Sequence, residues 1–185
     1  INKPAEEEPQ TALNLASLQK VSSDAVRISP ANHQHNLNGK YNFDSLVVGD
    51  FNQFACAAAT AVSEAPGMTK YNPLYIYGGT GLGKTHIVQA IGHRILELFP
   101  NKRVMYATSE KFTSDFIASI SNSSVANFTR VYRDVDVLVI DDIQFFTGKE
   151  STQEQFFHTF NTLYHLGKQI VLTSDRSPKE IKGLE

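Results

Sequence analysis

Apolar residues change their spacing along this chain, and the changes mark out its elements. From Tyr41 onward, short continuous apolar runs alternate with stretches in which apolar residues recur at helical spacing. The runs predict strands at Pro73–Tyr77, Arg103–Thr108, Val135–Ile140 and Gln169–Thr173. Asp50 is placed to cap a helix to about Glu64, ended by Pro66-Gly67. Ile87, Ile91, Ile95 and Leu98 share one face of a helix that Pro100 ends near Phe99. Ser109 caps a helix carrying Phe112, Phe116 and Ile120, and a shorter helix covers about Ser124 to Tyr132. Ser151-Thr152-Gln153-Glu154 has the form of a capping box, and its helix carries Phe156, Phe160 and Leu163 as far as Gly167. Strands alternating with helices predict an α/β fold: right-handed crossovers and a parallel sheet sandwiched between helices.

Residues 1–40 break this pattern. They hold Pro4, Pro9 and Pro30, the acidic run Glu6-Glu7-Glu8 and many Ser, Asn and Gln, with no aromatic residue. Such a segment buries too little apolar surface to offset its ordering entropy, so it reads as a linker, with a weak helical signal over Thr11–Gln19. His33 and His35 lack a nearby Cys or carboxylate and read as solvated linker histidines more readily than as metal ligands. The folded part is then 41–185.

Composition narrows the class. The 185 residues are 41% hydrophobic and 19% charged, with a formal net charge of −2, so no global positive field attracts nucleic acid. Any such contact needs a local patch. Cys56, in a run of alanines, is the single cysteine; an unpaired, packed thiol suits a reducing cytoplasm. No apolar run reaches the ~18 residues of a membrane span, and no basic-then-apolar leader opens the chain. The start at Ile1 and the end at Glu185, where a new helix begins, suggest a fragment of something longer.

The chemistry is concentrated after the strand Leu74–Tyr77. Gly78-Gly79-Thr80-Gly81-Leu82-Gly83-Lys84-Thr85 fits the phosphate-loop pattern completely, with a strand before it and a helix after it. The glycines let successive backbone N–H groups curl toward phosphate oxygens, and the helix start adds its positive dipole end. Lys84 then reaches the β- and γ-phosphates, and the Thr85 hydroxyl ligates Mg²⁺. Val135–Ile140 runs into Asp141-Asp142. A parallel strand delivers its C-terminal end to the phosphate edge, where Asp141 can hold Mg²⁺ through water. Asp142 either polarises the attacking water or only tunes the site. At the end of another strand, expected between the other two, lie Thr173-Ser174-Asp175. They either touch the γ-phosphate and attacking water or cap a turn.

These three elements, in this order, resemble an AAA+ ATPase core. Four longer segments are more specific: Tyr71-Asn72-Pro73 through Thr85-His86, Ile140–Phe146, Gln155–Asn161 and Leu172–Arg176. They resemble the DnaA family of bacterial chromosomal replication initiators, over roughly 41–185. The resemblance implies that Phe43, Val47, Gly49 and Asn52 belong to a segment wrapping adenine and ribose. It implies nucleotide contacts from Gly79, Thr80, Gly81, Leu82, Gly83, Lys84, Thr85 and His86. Asp141 and Thr85 match the metal ligands, Asp142 the hydrolysis acid and Asp175 the first sensor. The helix pair over Ser109–Tyr132 takes the place of the initiator-specific insertion, which steers ATP-bound subunits into a helical filament and helps contact single-stranded origin DNA. Ile117 and Lys149 become candidate single-strand contacts, and Arg130 and Arg133 candidate phosphate or subunit contacts.

By the same resemblance the cofactors are ATP, ADP and Mg²⁺. Partners are origin DNA, further copies of the chain, replication regulators and, in full-length members, acidic lipids. The chain is expected to stop before the last strand, arginine finger, second sensor and helical lid, and before the C-terminal domain that reads duplex DNA. The glycine-loop strand would then keep an open edge, and the chain would bind nucleotide weakly and hydrolyse it slowly. The leading function is an ATP-switched replication initiator, assembling on origin DNA and opening the duplex, reset by hydrolysis. A helicase loader or an initiator-regulating paralogue is the alternative. A metabolic P-loop kinase would need an acceptor pocket and a lid bearing arginines, and a purely structural module would not need the intact loop.

Overall fold

The computed structural model describes residues 35–181. His33, the segment Thr11–Gln19 and most of the linker lie outside them. Four strands form one sheet: β1 (Leu74–Tyr77), β2 (Val104–Thr108), β3 (Val137–Asp141) and β4 (Gln169–Ser174). All pairs are parallel, in the order β1-β4-β3-β2. The strand ending in Thr173-Ser174 therefore lies between the glycine-loop strand and the strand ending in Asp141, as the sequence predicts. Among the described residues β1 pairs only with β4 and forms one edge.

Both sheet faces are covered, which is why the strands read as continuous apolar runs rather than alternating ones. On one face Val137, Val139 and Val171 pack with Ile87, Ile91 and Ile95 of α2 (Lys84–Leu98) and with Ala59 and Val62 of α1 (Gln53–Glu64). On the other, Leu138, Ile140, Ile170 and Leu172 meet α3 (Ser109–Ser121), α4 (Val125–Arg133) and α5 (Glu150–His165) through Phe112, Phe128, Tyr132, Phe156 and Leu163. Phe112 lies at the centre of this second core, with rings of Phe128, Tyr132, Phe146 and Phe156 around it at 4.8–5.9 Å. Such ring pairs contribute about 0.5–1.5 kcal/mol each beyond simple burial.

Local capping differs from expectation at three helices. α1 begins after Asn52, not Asp50, because Asn52 closes a turn of its own: it accepts from Gly49 N–H (2.9 Å) and donates to the Val47 carbonyl (2.9 Å). Thr108, one residue before Ser109, caps α3 by accepting from Lys111 N–H at 3.1 Å. The Ser151–Glu154 capping box does not form. α5 starts at Glu150, which puts Ser151 inside the first turn, and Glu154 turns instead toward His158 at 3.7 Å. A capping box does form at Ser177 and Glu180.

The folded body also takes in residues before Tyr41. Tyr106 N–H donates to the His35 carbonyl (3.0 Å), Asn38 N–H donates to Gln89 Oε1 (2.8 Å), and Leu37 packs on the α1–α2 core beside Gly92. His35 Nδ1 accepts from Leu37 N–H at 3.0 Å, a turn contact rather than a ligand position. Burial, and then the neighbouring His93, hold the His35 pKa below its ordinary value.

Candidate functional site

The C-terminal ends of β1, β3 and β4 point to one side of the sheet, and the glycine loop crosses that side between β1 and α2. Gly81 and Gly83 have φ of +82° and +80°, a region that side-chain-bearing residues seldom occupy. Gly83 is also the residue before the first turn of α2, so the loop ends on free helix N–H groups. Lys84 folds back over the loop and donates to the carbonyls of Gly78 (2.8 Å) and Gly79 (3.0 Å). Its ammonium is thereby held at the mouth of a cavity of about 490 Å³.

That cavity is lined by Thr80, Gly81, Gly83, Lys84, Thr85, His86, Asp142 and Asp175, together with Tyr41, Gln144 and Phe145. Three strand ends and the loop thus meet around one space. Asp141 lies beneath it, only 1% exposed. Its Oδ2 accepts from the Thr85 hydroxyl (2.7 Å) and the Tyr106 hydroxyl (2.9 Å), and its Oδ1 accepts from the Thr173 hydroxyl. Asp142, at φ +57°, donates its backbone N–H to Thr173 Oγ1 (2.8 Å) and accepts from the Gln144 amide (3.1 Å). The Gln144 side-chain oxygen, Oε1, in turn accepts from Asp175 N–H at 3.3 Å. Burial first, and then the Asp141 charge, push the Tyr106 phenol well above its ordinary pKa, so it stays a donor.

A second cleft of about 260 Å³ continues from the loop, lined by Ser45, Leu46, Val47, Phe51, Asn52, Gly81, Leu82, Gly83 and His86. His86 joins the two spaces. Its Nε2 lies 2.8 Å from the Asn42 carbonyl and 3.2 Å from Ser45 Oγ, and its ring meets Tyr41 at 5.2 Å. Val47, Asn52 and Leu82 are therefore brought together beside the phosphate loop. Gly49 acts from behind, in the turn that seats Asn52. Phe43 is set apart: it packs on the α1–α2 core and lines a different cleft, with Glu64 and Arg94. Ile117, 56% exposed on α3, and Lys149, exposed just before α5, line neither space beside the loop. Arg130 donates to Asn127 (2.9 Å), and Arg133 reaches Thr159 (3.5 Å).

Oxygen ligands alone, Thr85 and Asp141 touching each other beneath a cationic loop, are the donor set a small hard cation such as Mg²⁺ takes. Tyr106, Tyr41, Gln144 and Phe51 are the residues that motif reading leaves out. Tyr106 could have been found from side-chain alternation, since Val104, Tyr106, Val137, Val139 and Asp141 share one sheet face once β2 is placed beside β3.

A family model described as the bacterial DnaA ATPase domain matches residues 37–185. Among solved structures, domain III of the Thermotoga maritima replication initiation protein DnaA is 49% identical, with a TM-score of 0.77, over 80% of this chain and 62% of that one. AMPPCP-bound DnaA from Aquifex aeolicus is 40% identical, with a TM-score of 0.76, over 80% of this chain and 46% of that one. This chain therefore spans less than two thirds of either relative. A DnaC helicase loader at 18% identity and TM-score 0.65 shares the fold, over 75% of this chain and 78% of that one.

Proposed function

This chain belongs to the bacterial DnaA ATPase-domain family, and from that we propose that it is the ATP-binding part of a replication initiator, switched by the nucleotide it holds. The observation that carries the reading is the meeting of Lys84, Thr85, Asp141, Asp142 and Asp175 around one cavity at the sheet's C-terminal edge. The Lys84 ammonium exchanges its loop carbonyls for β- and γ-phosphate oxygens, and the loop N–H groups complete the cradle. Thr85 and Asp141 are the residues that would hold Mg²⁺, which would offset the phosphate charge. Asp142 orients the attacking water, and Asp175 senses the γ-phosphate from the end of β4. The base lies in the cleft of Val47, Asn52, Phe51 and Leu82, with Gly49 shaping its wall. Phe43 supports that wall from the core.

Two relatives give the reading its context: AMPPCP-bound DnaA, and a replication initiator DnaA bound to both AMPPCP and single-stranded DNA. We place a single-strand contact on Ile117 and Lys149, where an exposed apolar side chain and a cation stand clear of the nucleotide cleft. ADP marks the reset state. Filament assembly, duplex origin recognition by a C-terminal domain, regulators and acidic lipids belong to the longer protein, in the cytoplasm. Among the described residues no helix is long and apolar enough to cross a membrane.

Two measurements test the reading. Titration of a fluorescent ATP analogue into this chain and its Lys84→Ala variant is expected to show affinity lost by about ten-fold or more, a charge-assisted contact to phosphate being worth roughly 1.5–3 kcal/mol. Binding of oligo-dT by the full-length parent is expected to require ATP and to stay weak in Lys84→Ala whether or not ATP is added. Equal DNA binding with and without ATP in both proteins would sink the switch.

A further inference from the structure

We propose that Tyr106 and Thr173 are positioning residues for the divalent cation: they clamp the Asp141 carboxylate from the two strands that flank it. The inference rests on the nucleotide-site reading above and adds residues that the phosphate-loop motif and its paired acids leave out. β3 lies between β2 and β4, and each neighbour sends one hydroxyl to it. Tyr106 of β2 donates to Oδ2 at 2.9 Å, and Thr173 of β4 donates to Oδ1. Each carboxylate oxygen is therefore fixed from a different side. Thr85 also donates to Oδ2, at 2.7 Å, but that hydroxyl is the one that would hold the cation. With Thr85 so engaged, Tyr106 and Thr173 would be the donors left on a carboxylate that is 1% exposed and has little water to orient it.

The strand that carries Tyr106 is itself braced. The Tyr106 backbone is held by the N-terminal segment, through the His35 carbonyl (3.0 Å) and the Asn36 amide (3.3 Å). Residues 35 and 36 thus hold the strand from which Tyr106 reaches the cation carboxylate. Partners that orient a metal-binding carboxylate typically change metal affinity by about 10–100-fold when removed.

The test is the Mg²⁺ dependence of ATP binding by this chain, measured with a fluorescent ATP analogue in EDTA and across a Mg²⁺ titration. Wild type, Tyr106→Phe, Thr173→Val and Thr173→Ser are compared, each first checked for folding by circular dichroism. Tyr106→Phe and Thr173→Val are expected to raise the Mg²⁺ midpoint by about ten-fold while leaving affinity in EDTA unchanged. Thr173→Ser, which keeps the hydroxyl, is expected to restore the wild-type midpoint. Wild-type midpoints in both hydroxyl-deleting variants overturn the clamp, as does an equal loss of affinity in EDTA, which would make the two hydroxyls general supports of the fold. If wild type gains no affinity from Mg²⁺, the nucleotide-site reading fails first and the clamp with it. Should Tyr106→Phe not fold, the Thr173 pair decides by the same criterion.

Discussion

Gly83, like Gly81, makes a steep local demand in the phosphate loop. Its φ of +80° lies where an L side chain is strained, although nothing stands within 4 Å of the place a Cβ would take. The cost of Gly83→Ala is therefore backbone cost alone, about 1–2 kcal/mol. Urea denaturation is expected to show that loss, and an unchanged midpoint would mean that the loop does not keep this conformation in solution. A demand of this kind is legible in sequence, because it is satisfied within eight consecutive residues, from Gly78 to Thr85. Asp141 is legible for the same reason, as the acid that ends an apolar strand. Tyr106 and Thr173 are not legible as a clamp, because they meet Asp141 only once the order and register of three strands are known. Phe43, taken from the family resemblance, packs against the core of α1 and α2 and lines neither space beside the loop, a placement that a motif match does not carry.

The existence and type of every α-helix and β-strand among the described residues follow from spacing, because burying two sheet faces imposes a periodicity on at least a turn of chain. Element starts follow less well. Ser151 and Glu154 have the residue types of a capping box, but Gly148, at φ +79°, turns the chain so that α5 begins one residue before Ser151. β4 shows how a strand start can be set by a distant partner. Gln169 is fully buried at its first position; its amide donates to the Tyr71 carbonyl (2.9 Å) and its oxygen accepts from Gly67 N–H (2.9 Å). Asn72 adds a bond from Ile170 N–H at 3.0 Å. These contacts fasten the loop before β1 onto β4, across about a hundred residues of sequence. Gln169→Ala would remove the partner of two part-buried backbone groups, so a loss of about 1–3 kcal/mol is expected in chemical denaturation. A loss below about 1 kcal/mol, the scale of one ordinary hydrogen bond, would show that water replaces the glutamine.

Across the whole molecule the two ends of the sheet do different work. At the C-terminal end the strands deliver Asp142 and Asp175 to a cavity, with Asp141 and Thr173 buried beneath it. At the N-terminal end the polar groups satisfy one another. Asp136 accepts from Arg103 N–H (2.9 Å) and the Lys168 ammonium (2.7 Å), and its carbonyl accepts from Gln169 N–H (3.1 Å), so one residue ties β2, β3 and β4. Burial alone would raise the Asp136 pKa, but the Arg103 amide and Lys168 outweigh it and hold the carboxyl below its ordinary 3.8. A carboxyl depressed by folding contributes stability that is fully present above its unfolded pKa and is lost as pH falls through the folded one. For Asp136 that window lies below 3.8. Asp136→Asn is expected to cost about 1–2 kcal/mol near neutral pH and to reduce the further loss of stability on acidification in that window. ATP affinity should stay unchanged, because the substitution is at the far end of the strands from Lys84. Lys84→Ala is expected to do the reverse, weakening nucleotide binding by about ten-fold or more with little effect on the unfolding midpoint. Measuring urea unfolding and ATP binding on the same two variants tests this division directly. If Asp136→Asn weakened ATP binding as much as stability, the two ends of the sheet would be one cooperative unit, and fastening could not be separated from ligand capture.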